Sequence, residues 1–311
     1  MVFVLVFGGA LGWIVYRARV QRDAVAAIER AGGDVWYDWQ VRDGKVVPNG
    51  RPIWPDWLVN RIGVDYFGAV VRVSLVQVAT DAELAVAANL SAVEELFLND
   101  SRVFAGTSRA STDGPEHRLE EQEVTDPGLV SITSLKNLKV LHLGNTIIGD
   151  DGLRQLKKLT GLTDLGLRYT KTTDAGLAEL AGLTSLKRLT LGGTTIGDQG
   201  LLHLKGLKNL EMLGLRSTQV TDAGLAHLKD LTSLKTLDLG DTRVTDVGLT
   251  HLVGLKQLET LMLMNTGITD AAIEILRTMT SLKSLQLQGT VMSDDVVTTL
   301  QQSLPNASIR H

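Results

Sequence analysis

The feature that most constrains this chain is a 24-residue period that runs through its C-terminal part without a slip. Leu138, Leu162, Leu186, Leu210, Leu234, Leu258 and Leu282 form one column. A second leucine column starts at Leu141 and a third at Leu143, both with the same step. A fixed period of this size means stacked coils, because no single unit can bury its apolar face without a neighbour. The α/β fold expected is a solenoid: a right-handed superhelix with a parallel concave sheet and short convex helices.

Within each unit the local chemistry is readable. Leu141 and Leu143 alternate around His142, as in a short strand with one apolar face. Next comes a threonine column (Thr146, Thr170, Thr194, Thr218, Thr242, Thr266 and Thr290). Its hydroxyls are expected to bond backbone groups of the adjacent coil's turn. An aspartate column follows: Asp126, Asp150, Asp174, Asp198, Asp222, Asp246, Asp270 and Asp294. Aspartate is a strong helix N-cap, so each is expected to cap the one-sided helix marked by leucines such as Leu225, Leu228 and Leu231. A metal reading of these carboxylates fares worse, since hard cations need several oxygens in one shell. His203, His227 and His251 also share a column, on the helical side, too far apart to meet at one ion. No metal or other cofactor is expected.

The pattern Leu-x-x-Leu-x-Leu-x-x-Thr-x-Val-Thr-Asp-x-Gly-Leu resembles the leucine-rich repeat superfamily, close to its ribonuclease-inhibitor-like and cysteine-containing types, with Thr in the Cys position. The segment at 21–33, Gln-Arg-Asp-Ala-Val-Ala-Ala-Ile-Glu-Arg-Ala-Gly-Gly, is similar to one in planctomycete-type bacterial, membrane-anchored members. The resemblance spans nearly the whole chain. It implies the fold and a general binding role, and no particular ligand.

The remaining sequence divides as follows. Residues 1–16 are expected to be a membrane anchor, with 2–16 unbroken apolar sequence, Trp13 and Tyr16 suited to an interface, and Arg17, Arg19 and Arg22 directly after. As helix, 2–16 covers about 22 Å against a hydrocarbon core of about 30 Å. A start placed upstream would supply the difference. A cleaved signal peptide and a buried core helix are the other readings. The charge rule favours a cytoplasmic solenoid.

Residues 17–69 form a juxtamembrane helix and N-terminal cap, with Val20, Ala24, Ala27, Ile28 and Ala31 on one stripe. A hairpin is expected across Arg42, Asp43 and Gly44, its strands at 34–41 and 45–47, and a short helix from Trp54 to a stop near Gly63. Trp36, Trp39, Trp54 and Trp57 are expected to seal the end of the stack, a ligand-binding aromatic box being the alternative. Residues 70–137 carry irregular first repeats, with Val71, Val73 and Leu75 in the first strand and a polar insertion near 101–122, either a degenerate repeat or a loop. Residues 138–305 are seven regular repeats and 306–311 a terminal half-repeat.

Function follows from what is present. The net charge of -4 gives no basic balance for nucleic acid, and the lack of Cys removes thiol chemistry and zinc ribbons. No phosphate loop, nucleophile elbow or zinc-protease motif occurs, so the chain is read as no enzyme, with no small-molecule substrate. The expected role is a membrane-tethered scaffold that binds a protein partner on its concave face. Arg168, Arg188 and Arg216 are expected to converge there on neighbouring strands. Tyr169, Met212, Asp238, Met262 and Met264 complete the candidate surface. A substrate-recognition adaptor of a ubiquitin-type, F-box-like system is the alternative.

Overall fold

The computed structural model describes residues 2–47, 50–75, 79–98 and 124–311, with the backbone alone over 2–11. It divides into two compact units, Met1–Leu141 and His142–His311. The polar insertion expected near 101–122 lies outside the described residues.

The first unit is built around a long helix, α1 (Val2–Arg30). One face buries Ala18, Ala24, Val25 and Ile28. The helix ends at Gly32 in the left-handed region, where glycine costs least. The membrane anchor is therefore corrected. Residues 2–16 are no separate element, since one uninterrupted helix carries the apolar run into Arg17, Arg19 and Arg22. Among the described residues no helix is long and apolar enough to cross a membrane. The apolar run of 2–16 rises about 22 Å as helix, and Arg17, Arg19 and Arg22 follow it directly.

Strands β1 (Asp34–Tyr37), β2 (Val41–Arg42) and β3 (Lys45–Val46) follow. Only β2 and β3 form the hairpin, with Asp43 and Gly44 both at positive φ, the geometry of a tight two-residue turn. β1 instead pairs antiparallel with β4 (Val70–Ser74). The short helix α2 (Asp56–Ile62) stops at Gly63, φ 108°, as the sequence predicts. After it, α3 (Asp81–Ala87) and β5 (Glu95–Phe97) continue the apolar register, with Leu84, Leu90, Val93, Leu96 and Leu98 all buried. The tryptophans split. Trp39 stacks on Tyr37 at 5.0 Å and fills the space beside Gly68, while Trp36 lies 5.8 Å from the Arg72 guanidinium. Trp54 and Trp57 are exposed, Trp54 with its ring 5.5 Å from that of Phe67.

Helix α4 (Leu129–Ile132) and strand β6 (Val140–His142) lead to the second unit. There the parallel strands are β7 (Asp164–Gly166), β8 (Arg188–Thr190), β9 (Met212–Gly214), β10 (Thr236–Asp238), β11 (Thr260–Met262), β12 (Ser284–Gln286) and β13 (Ser308–Arg310). Register is strict: Leu165 faces Leu189, Leu213 faces Leu237 and Leu285 faces Ile309. One helix follows each strand from β6 to β12: α5 (Asp150–Leu156), α6 (Asp174–Glu179), α7 (Asp198–Leu202), α8 (Asp222–Leu225), α9 (Asp246–Leu249), α10 (Ile273–Leu276) and α11 (Asp294–Ser303). The leucine columns lie between, fully buried.

Two polar columns act differently from expectation. The threonine hydroxyls donate within their own coil, to the carbonyl three residues back: Thr146 to Leu143 at 2.6 Å, Thr218 to Leu215 at 2.6 Å, Thr242 to Leu239 at 2.6 Å. They close the turn after the strand. The aspartates do not cap their own helices. From Asp150 to Asp294 each is the first helical residue; before Asp174, Asp222, Asp246 and Asp270 the cap is a Thr whose hydroxyl accepts the N–H of Ala175, Ala223, Val247 or Ala271, while Gly149, Gly197 and Ser293 stand at the other starts without a side-chain cap bond. The carboxylate reaches into the next coil. Asp198 accepts the backbone N–H of Thr221 at 2.8 Å and its hydroxyl at 2.7 Å. Asp150 binds Thr173, Asp222 binds Thr245 and Asp246 binds Thr269 in the same way.

This ladder also explains the glycine two residues after each aspartate. A Cβ on Gly224 would lie 2.4 Å from Asp198 Oδ1, and one on Gly248 2.3 Å from Asp222 Oδ1. Where Ala272 stands instead, the helix begins with a 3-10 turn at Asp270–Ala272.

Candidate functional site

The outward positions of the strands form three rows. At the start of the strands lie Asp164, Arg188, Met212, Thr236, Thr260 and Ser284. Along the middle lie His142, Gly166, Thr190, Gly214, Asp238, Met262 and Gln286. Just beyond them lie Arg168, Gly192, Arg216, Gly240, Met264 and Gln288. The three arginines are thus not one cluster. Arg168 and Arg216 share a row, two strands apart, or about 10 Å. Arg188 sits four positions earlier in the coil than Arg216 does, about 13 Å along an extended chain.

Arg188 belongs to a network at the start of the strands. Its Nε lies 3.0 Å from Asp164 Oδ2, and the other oxygen of Asp164 meets His142 Nε2 at 3.1 Å. Gly166 makes room for this, since a Cβ there would lie 3.1 Å from the His142 ring.

At the other end, Arg216 Nε donates to Asp241 Oδ2 at 2.7 Å, and Asn265 Nδ2 donates to Asp241 Oδ1 at 2.6 Å. The Arg216 side chain also reaches Met264, its Nη1 4.0 Å from the sulfur. Asp238 sinks into the face at 7% exposure and accepts the Gly240 N–H at 3.0 Å. Burial pushes its carboxyl above the usual range; the Gly240 hydrogen bond and the charges of Arg216 and Arg168 pull it back, and Asp241 adds to the rise. Of the methionines, Met264 joins this group, Met262 lies in the middle row beside Asp238, and Met212 stands next to Arg188.

Tyr169 is the least ordinary residue on the face. It has φ 54°, in the left-handed region that bulky side chains avoid. The whole column is left-handed: Asn145, Gly193, Ser217, Asp241, Asn265 and Gly289 are residues that tolerate it better. The Tyr169 ring rests over Gly193, where a Cβ would fall 2.3 Å from Cδ1. The Arg168 guanidinium lies 5.7 Å from the ring centroid. Even so, Tyr169 is 55% exposed. The left-handed column escaped the sequence reading, although its run of Asn, Gly, Ser and Asp was the signal.

The same coil departs from the pattern once more. Thr172 replaces the usual Ile or Val, is fully buried, and satisfies its hydroxyl on Thr170 at 2.8 Å. Among the described residues, no three His, Asp or Glu side chains come together as a metal site requires.

Comparison with known proteins bears on this geometry. Residues 134–157 and 208–268 match models described as leucine rich repeat. A solved internalin C2 of Listeria monocytogenes superposes with a TM-score of 0.53 at 20% identity, covering 76% of this chain and 89% of that one. This is a leucine-rich repeat fold. A second Listeria monocytogenes internalin (inlF) is similar at 19% identity and a TM-score of 0.44, over 81% of this chain and 85% of that one. No curated relative matches the sequence. The α/β repeat architecture expected from the leucine columns is therefore the one observed.

Proposed function

We propose that this leucine-rich repeat chain is a non-catalytic scaffold that docks a protein partner on the strand face of residues 142–311. Arg168, Tyr169, Arg216 and Met264 form the centre of the surface, with Asp238 and Met262 in its floor and Arg188 and Met212 on its flank. The observation that carries this is Tyr169. A tyrosine at positive φ costs roughly 1–2 kcal/mol relative to a relaxed backbone. An exposed side chain that brings no core packing in return supports a role in contact, because strain of this kind collects at binding sites. Tyr and Arg are also the side chains that most often anchor interfaces. The acid and base groups nearby are engaged with one another, Asp164 with His142 and Arg188, Asp241 with Arg216.

The planctomycete-type likeness, the assignment of the Thr column to the Cys position, and the division into seven regular repeats over 138–305 form part of the same reading. The test is a photo-crosslinking amino acid placed at 169 and, separately, at 229 on the helical side, in the native cell. A discrete crosslinked protein is expected from 169 alone. The same products from both positions, or none from 169, would reject the surface.

A further inference from the structure

On the strand face, the carboxylates lie deeper than the guanidinium groups they hold. The Arg188 side chain is 45% exposed over an Asp164 at 18%, and Arg216 is 38% exposed over an Asp241 at 30%. Asp238 is deeper still. The acids balance the charge count while each is less exposed than the guanidinium it pairs with, Asp241 by the smaller margin.

The acids also fix the arginines. Asp164 and Asp241 each grip Arg Nε, and each is held in turn by a second side chain, His142 or Asn265. A guanidinium gripped through Nε keeps the two N–H groups at its far end pointing away from that grip, a planar fork that matches a carboxylate. The rotamer entropy of these long side chains is already lost before a ligand arrives. Glycines at 192, 214 and 240 keep the floor low beside Arg168 and Arg216, so a partner's main chain can come close.

From this we infer that the face selects an acidic, extended peptide segment, a reading that rests on the strand face being the interaction surface. The segment crosses the strands, with one carboxylate toward Arg168 and another toward Arg216. Those residues are two strands apart, about 10 Å, which a segment in the extended polyproline-II form spans in three residues, about 9 Å, while bringing side chains i and i+3 to the same side. Aspartate or glutamate at positions i and i+3 therefore fits. Met264 and Tyr169 offer the apolar area for whatever side chains flank them.

The experiment titrates the full chain into fluorescein-labelled peptides of one length. One carries two Glu at i and i+3 in a Gly-Ser frame, and the others carry Gln or Lys in their place. The Glu peptide is expected to bind, and the Gln peptide to bind about tenfold or more weaker. Affinity should fall as salt rises from about 50 to about 300 mM. Arg216→Gln and Arg168→Gln should each weaken the Glu peptide by a similar factor, and Lys205→Gln on the helical side should not. Asp241→Asn, which leaves Arg216 in place but loosens it, should weaken binding by less than Arg216→Gln does. Circular dichroism of each variant checks its fold.

Equal binding of Glu and Gln peptides, preference for Lys, no binding of the Glu peptide, or equal binding of a single-stranded oligonucleotide of the same charge would each overturn the inference. A partner crosslinked at 169 together with a failed peptide test would leave the docking surface standing and remove only its acid preference.

Discussion

The repeats of residues 142–311 and the N-terminal unit solve the same problem, covering apolar surface, by opposite means. In the repeats one device recurs: Asp to the next Thr, Thr to its helix, Gly where the carboxylate needs room. In the N-terminal unit that device is seen between Asp81 and Thr125, whose N–H and hydroxyl lie 2.9 and 2.6 Å from the carboxylate, and the other contacts are singular. Tyr37 donates to Asp65 at 2.9 Å, and burial together with that bond pushes its hydroxyl up. Gln21 donates to the Gly68 carbonyl at 2.9 Å. Arg72 is held by Glu95 at 2.6 Å and lies against Phe97 at 5.4 Å. A repeated device spreads its stability evenly and tolerates local departures. A singular one concentrates it. The contrast teaches where to look for function: in the repeats, a departure from the pattern stands out, and the coil of Arg168, Tyr169 and Thr172 holds several.

Four experiments probe that contrast, the largest effect first. Leu237→Ala, at a fully buried position, should cost about 2–5 kcal/mol in urea unfolding, while Trp57→Ala in the N-terminal unit, exposed, should cost little. Equal losses would mean that the two units do not differ as described.

Asp198→Ala removes both acceptors from Thr221 and leaves a backbone N–H unpaired, a loss of about 1–3 kcal/mol. Gly224→Ala should be costly alone and cheaper in the Asp198→Ala background, since the carboxylate it strikes is gone. Strict additivity in that double-mutant cycle would disprove the ladder's claim on glycine.

Tyr169→Gly should go the other way. It relieves the left-handed backbone and raises stability by up to about 1 kcal/mol, while the acidic peptide binds more weakly. A destabilised variant would show that the tyrosine is packing and not a contact residue.

The smallest effect is a pH dependence. Asp238 has a raised carboxyl pKa, so its ionisation costs stability as pH climbs from the ordinary value of 3.8 to the folded value, and the cost is constant above. Thermal denaturation of wild type and Asp238→Asn should therefore converge, or shift in favour of the wild type, as pH falls toward 4. Parallel curves would refute the buried charge.

How much was legible beforehand depended on whether a residue's role was periodic. The leucine columns announced the strands and their register because period alone dictates which face is buried. The hairpin turn at Asp43 and Gly44 and the stop at Gly63 were readable from local backbone preference. The aspartates were visible as a column, but their partner was not. Their role hinges on whether the carboxylate turns toward its own helix or the next coil, a choice of side-chain direction that sequence does not record. The signal was there in Asp198 and Thr221, always 23 residues apart. At the site, the strand positions were readable, while the separation of Arg188 from Arg168 and Arg216 required counting rows along the strand. Trp54 and Trp57 misled for a different reason. Large apolar residues are usually buried, and nothing local marks the exception. The apolar run at 2–16 raised the expectation of an anchor, and the continuous helix that carries it into three arginines removed it.

The aspartate ladder has one more implication, for how such a chain can change length. Each carboxylate meets a donor 23 residues ahead, and each glycine clears a neighbour 26 residues behind. Gain or loss of a whole 24-residue coil preserves every one of those pairings. Any other insertion within a coil has to bulge out at a turn or break a rung. Growth of the repeat array is thereby quantised, so recombination between coils can lengthen or shorten the strand face in single steps while leaving the chemistry at each junction unaltered.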